Sequence, residues 1–246
     1  MTSSGEDPRL WVLYVAVVGV AAFAAAPTTR AAARTFRWPP PAAAVVLWAT
    51  VTAASVARLI APDLLDVLDR RPVRTRDSGE WWRVLTAGVV EDGGVLLTVA
   101  NLVLLAIVAV AAVRSWGWYR AVGLFVLGQI LWGLFTTFVV PSVGAGTTGA
   151  TLALAGSLAG LWPIVGASRP QVIASVATFL LGAVLVALGD AHGVAVLIGM
   201  LLGAVLGTVL PPLRPAHTGT GEDRPAHPHP ELQAPPPGTP RRDMGS

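Results

Sequence analysis

Apolar residues run almost unbroken along most of this chain, in stretches too long for an ordinary soluble core. A bilayer core asks for about 20 apolar residues per helix. Seven stretches have that length: Leu10–Ala26, Ala42–Ala61, Gly93–Val113, Ala121–Val140, Gly144–Val165, Gln171–Gly189 and Ala191–Leu210. Each is predicted to be a membrane-spanning α-helix. Proline marks several ends. Pro39, Pro40 and Pro41 precede the second stretch, Pro141 closes the fourth, and Pro211 and Pro212 stop the seventh. Proline lacks an N–H and its ring clashes with the preceding turn, so it ends helices. Pro170 falls at the first position of the sixth, where the missing N–H costs nothing. The first stretch follows Glu6 and Asp7 rather than basic residues, and six more spans follow it. It therefore reads as a retained helix rather than a cleaved signal peptide.

The polar segments between the spans set an orientation, because arginine collects on the cytoplasmic side. Arg30, Arg34 and Arg37 follow the first span, Arg114 and Arg120 join the third to the fourth, Arg169 joins the fifth to the sixth, and Arg214 follows the last. With seven spans these segments share one side. The other side receives Glu6, Asp7 and Arg9, the turn Pro141–Val143, Asp190, and the long mixed-charge loop Pro62–Val90. The expectation is a multi-pass protein of the inner (plasma) membrane, with its N-terminus outside and its C-terminus cytoplasmic. Three domains follow: 1–41 with an extra helix and an arginine-rich loop, a membrane domain over 42–213, and a disordered Pro-rich tail over 214–246.

Composition narrows the chemistry. Of 246 residues, 54% are apolar and 13% charged, against about 25% charged in soluble domains. Cysteine is absent, which excludes disulfides, Cys-ligated metals and thiol nucleophiles. All 17 basic residues are arginine, yet they form no patch or stripe, so a nucleic-acid partner is not expected. No cofactor or metal is expected either. His227 and His229 in the tail read as a solvated pair. The arginine-only, alanine- and valine-rich composition fits a bacterial chain of high GC content.

Polar side chains inside a span are costly in lipid and are functional candidates by default. They are few: Asn101, Gln129, Thr147, Thr148 and His192. Gln129 reads as a helix-to-helix hydrogen bond. Thr136, Thr137, Thr151 and Thr178 read as bonded to their own helix backbones, and Arg58 as snorkelling to the interface. Trp81 and Trp82 on one side, and Trp116, Trp118 and Tyr119 on the other, read as interfacial anchors. The third, fifth and seventh spans all begin at the outer face. Asn101 then lies about 12 Å deep at 1.5 Å per residue, and Thr148 and His192 lie within the first turn. All three could meet in one outer cavity. Gly149, Gly156 and Gly160 on the fifth span, and Gly199, Gly203 and Gly207 on the seventh, form small-residue stripes along which two helices could approach closely.

Four segments carry a family resemblance. They are Glu80-Trp81-Trp82-Arg83-Val84-Leu85-Thr86 in the long loop, Asn101 opening an apolar run, Gly146-Thr147-Thr148-Gly149, and Ala191-His192 followed by Ala195 and Gly199. In order and spacing, residues 42 to 210 resemble the rhomboid family of intramembrane serine proteases. The resemblance implies an all-α polytopic membrane protein: a rhomboid-like six-helix core, one extra N-terminal transmembrane helix and a disordered C-terminal tail. It implies a hydroxyl nucleophile at position 148, His192 as general base, and Asn101 as an oxyanion donor. Gly146, Gly149, Trp82, Arg83, Gly199 and Gly203 would be motif and packing residues.

The departures bear on activity. The nucleophile position holds Thr148, whose methyl group restricts χ1. A misplacement of about 1 Å can cost roughly a hundredfold in rate. The family's second histidine is Leu97 here, a further one is replaced by Glu91 or Asp92, and Ala195 stands where glycine is usual. Three functions stay open. The first is a weakly active or inactive pseudoprotease that sits in the lipid bilayer and binds transmembrane segments of client proteins. The second is an active endopeptidase using a Thr148/His192 dyad. The third is a small polytopic transporter or structural membrane protein.

Overall fold

A computed structural model describes residues 8–166 and 168–210; the tail assigned to 214–246 lies outside them. The described residues are helical, with no β-strand beyond one isolated bridge. The elements are α1 (Pro8–Ala25), α2 (Thr29–Thr35), α3 (Ala42–Ile60), α4 (Leu64–Leu68), α5 (Pro72–Asp77), α6 (Trp82–Thr86), α7 (Val95–Trp116), α8 (Trp118–Phe138), α9 (Thr148–Val165), α10 (Arg169–Ala187) and α11 (His192–Val209). Six of them, α3 and α7 to α11, are long and apolar enough to cross a membrane. The first apolar stretch meets that criterion only together with α2, from which it is bent by 101°. The chain therefore has the elements of a multi-pass membrane protein. Large apolar side chains such as Val46, Leu96, Ile173, Leu201 and Val209 lie exposed along the helices, as lipid-facing positions must.

α9 is the central helix. From Gly149 to Leu161 every residue is buried, and α1, α7, α8, α10 and α11 all pack against it. Small residues make this possible. A Cβ on Gly199 would sit 1.9 Å from the Ala153 carbonyl oxygen, and one on Gly203 2.1 Å from that of Ser157. From the other helix, a Cβ on Gly156 would sit 2.3 Å from the Val196 oxygen, and one on Gly160 2.0 Å from that of Met200. The two backbones thus touch along both glycine stripes. In lipid, where apolar burial gives little drive, this close van der Waals approach is the main source of association.

α1 is built into the core. Its Tyr14, Val17, Val18 and Ala21 are buried in one cluster with Leu105, Leu152, Leu158 and Val196. α10 starts with a capping box, Ser168 with Gln171, and Gln171 Nε2 also donates to the Ala24 carbonyl at 3.0 Å, tying α10 to the end of α1. α3 is the peripheral span, held by a bond from Trp48 Nε1 to the Leu102 carbonyl (3.0 Å).

The long loop folds into α4, α5 and α6 around Arg83, which is buried. Its Nη1 donates to the Asp66 and Asp69 carbonyls (2.9 and 3.0 Å) and to Asp69 Oδ1 (2.9 Å), while Nε pairs with Glu80. Trp82 beside it is half exposed. α6 rests on α8, where Gln129 Nε2 donates to the Val84 carbonyl (2.9 Å). The isolated bridge pairs Arg70 with Gly144, and Gly146 N–H donates to the Ala87 carbonyl (2.8 Å). The loop thereby reaches the segment leading into α9.

Several sequence expectations change. Thr136 and Thr178 do bond to their own helices, but the Thr137 and Thr151 hydroxyls are buried with no partner among the described residues. Packing, not backbone bonding, holds these two. Trp116 is buried in the core rather than anchored at an interface, because α7 turns at Gly117 and folds the indole inward; Trp118 and Tyr119 remain exposed. Arg58 clamps the start of α7 instead of snorkelling freely, donating to the Asp92 carbonyl at 2.9 Å.

Candidate functional site

A cleft of about 520 Å³ opens where α7, α9 and α11 begin. Thr148, His192, Asn101 and Gly146 all line it. Helix starts bring them together: Thr148 and His192 are the first residues of α9 and α11, and Asn101 lies two turns into α7. Gly146 takes φ +154°, a conformation that favours glycine, as the chain turns into α9. Gly149 lies beneath the Trp132 ring, which a Cβ there would meet at 2.5 Å. Gly199 and Gly203 belong to the α9–α11 contact, and Trp82 and Arg83 to the loop scaffold, so these four shape the cleft from a distance.

His192 is held on every side but one. Its Nδ1 lies 2.8 Å from Asp190 Oδ1 and 3.0 Å from the Tyr14 hydroxyl, and its backbone N–H donates to Asp190 Oδ1 at 3.0 Å. The Tyr14 hydroxyl itself donates to Asp190 Oδ2. The ring stacks on Trp132, with centroids 5.0 Å apart and planes 25° apart. A carboxylate beside Nδ1 favours the tautomer protonated there and leaves Nε2 as the basic nitrogen. Burial alone would push the Asp190 carboxyl up. The hydrogen bonds and charge of His192, with the Tyr14 bond, outweigh that and hold it below the usual range.

Asn101 and Thr147 serve a second carboxyl. Asn101 Nδ2 donates to Glu91 Oε2 at 2.8 Å, and the Thr147 backbone N–H donates to Oε1 at 2.9 Å, with the Thr147 hydroxyl on the same oxygen. Burial pushes the Glu91 carboxyl up, against these three bonds. Glu91 thereby links the start of α7 to the start of α9. The amide expected to face an oxyanion is engaged with Glu91 instead, because a buried carboxyl must find its donors nearby.

The Thr148 hydroxyl makes no hydrogen bond to His192 or to any other described residue. It is partly exposed to the cleft. The nucleophile position and the base thus share a cavity without being joined in this arrangement.

Sequence reasoning missed Tyr14, Arg70, Glu91, Trp132 and Asp190. Two signals were available. Tyr14 is one of only two tyrosines and stands inside an apolar span, and Asp190 is the single acid beside the single membrane histidine. Nothing in the spacing pointed to Arg70 or Trp132, which reach the cleft only through the loop fold and the α8 packing.

No protein-family model matches this chain, and none of the curated proteins compared with it matches.

Proposed function

We propose that this chain is a rhomboid-like integral membrane protein, weakly active or inactive as a protease, that binds transmembrane segments of client membrane proteins at the cleft. One observation carries the reading. Thr148 has no bond to His192, while the Asn101 amide is occupied by Glu91. A hydroxyl with an extra methyl and no base in contact is poorly placed to attack, since nucleophilic catalysis needs the base within hydrogen-bond reach. What remains is a polar cleft beside apolar helix faces, which suits the end of a client helix. The bilayer is the setting, with the N-terminus outside and the C-terminus cytoplasmic.

The test uses purified full-length protein in proteoliposomes with single-pass model substrates. Photo-crosslinking from position 143, exposed at the cleft rim, is expected to capture the substrate without cleavage. Robust cleavage lost in Thr148→Ala would overturn the proposal.

A second reading, an active endopeptidase with a Thr148/His192 dyad, is favoured by one specific feature. Asp190 orients the histidine from Nδ1 in the way a carboxylate orients the base of a serine hydrolase. Fluorophosphonate labelling that depends on both Thr148 and His192, and that rises in Thr148→Ser, is its expected result. Equal labelling of wild type, Thr148→Ala and His192→Ala, or none at all, removes it.

A further inference from the structure

Arg70 has no place in either functional reading, yet it is a buried charge at the cleft. It is 4% exposed and lines the cleft. Its Nε and Nη2 donate to the carbonyl and hydroxyl of Ser142, each at 3.0 Å, and its guanidinium lies 4.5 Å from the Trp132 ring centroid. The backbone bridge to Gly144 fixes it further. Among the described residues no carboxylate bonds to it. Asp69 is taken by Arg71 and Arg83, and Asp92 Oδ2 accepts from the Ala145 N–H at 2.8 Å. Burial lowers the Arg70 pKa to about 10, with Asp92 and Asp69 opposing the shift from a distance.

One guanidinium nitrogen, Nη1, is buried without a partner among the described residues. A second cleft residue shares the condition: the indole Nε1 of Trp11, on α1, is also buried and has no partner among the described residues. Buried donors without acceptors are rare and costly, and a buried guanidinium without a counter-ion more so. Glu91 and Asp92 also line the cleft, but both Glu91 oxygens and Asp92 Oδ2 accept bonds from Asn101, Thr147 and Ala145.

We infer that the cleft holds a binding site for an oxyanion, a carboxylate or phosphate group, with Arg70 Nη1 as its charged anchor and Trp11 Nε1 as its second donor. The group can arrive on a soluble molecule or on an anionic lipid headgroup. The site requires neither the binding nor the cutting of client segments. Arg70 is already clamped by Ser142 and Trp132, so little side-chain entropy is lost when the anion docks.

The test is thermal unfolding of the purified full-length protein. In neutral detergent it is titrated with inorganic phosphate or succinate, against chloride at matched ionic strength. In phosphatidylcholine nanodiscs it is compared with and without phosphatidylglycerol. A saturable rise in midpoint in detergent identifies a soluble oxyanion; a rise only with phosphatidylglycerol identifies a headgroup. Trp11→Phe keeps an aromatic side chain while removing the indole N–H, so it is expected to weaken the apparent affinity about 5–10-fold. Arg70→Lys is expected to abolish the response; where it fails to fold, Trp11→Phe decides. No rise with any of the three probes overturns the inference, and so does a rise of equal affinity in wild type and Trp11→Phe, which marks an adventitious ion only.

Discussion

At the scale of single residues, two carboxyls at the cleft are shifted in opposite directions from their ordinary pKa values. Glu91 is held above its ordinary pKa by burial, so the fold favours its protonated form. Its stabilisation is full below the ordinary glutamate value and is lost as pH rises through the raised one. Asp190 is held below its ordinary value, so its stabilisation is present above that value and lost as pH falls through the lowered one. Glu91→Gln keeps an acceptor for Thr147, and Asn101 can turn its amide to meet the new N–H. Wild type is expected to lose melting midpoint as pH rises through the raised Glu91 pKa, and this variant is expected not to, as read by thermal scans across a pH series. Glu91→Ala leaves the Asn101 and Thr147 donors unpaired and is expected to cost about 1–3 kcal/mol at all pH values. For Asp190→Asn, nitrogen NMR of the histidine side chains is expected to show His192 shifting from the Nδ1–H tautomer to a mixture. An unchanged tautomer would mean that Tyr14 alone orients the ring.

At the scale of elements, the pairing of α9 with α11 decides whether Thr148 and His192 face one cavity at all. The contact is backbone against backbone at Gly199 and Gly203, so no side chain fits between the helices. Gly199→Val is expected to push them apart and to cost more than the 1–3 kcal/mol usual for overpacking, because the clashing atoms are main-chain and cannot rotate away. Gly123→Ala on α8 is the control: nothing lies within 4 Å of its Cβ, and removing a helix-interior glycine is expected to stabilise by up to about 1 kcal/mol. Steric-trapping or detergent-denaturation midpoints distinguish the two. The stripes were legible in the sequence, since a four-residue glycine period in an apolar run has few other uses. The partner of each stripe was less so, because spacing along one helix does not name the helix opposite.

At the scale of the whole molecule, the arginine distribution and the helix order make one prediction together. The chain has no cysteine, so single cysteines can report sidedness. Cysteines at Gly79 and Val143 are expected to react with a membrane-impermeant maleimide from outside intact cells, and one at Gly117 only after permeabilisation. Labelling of all three from the same side would contradict the N-out arrangement. The long loop belongs to this scale as well. Its three short helices are pinned by Arg83, and they carry Arg70 to the cleft, far from where a membrane-span count would place a site residue.

The sequence by itself determined that the chain is a multi-pass helical membrane protein and where most spans begin and end, and it marked Asn101, Thr148 and His192 as residues that could meet in one cavity. Apolar run length, proline and glycine are local signals, and local signals survive in one dimension. Only the tertiary structure decided what these residues touch. It placed Tyr14 against His192 from a helix that sequence spacing had set apart, gave Asn101 to Glu91, and left Arg70 and Trp11 with unpaired donors in the same cleft. Those pairings join positions up to 178 residues apart, and they follow from how the helices and the long loop pack together rather than from any pattern along the chain.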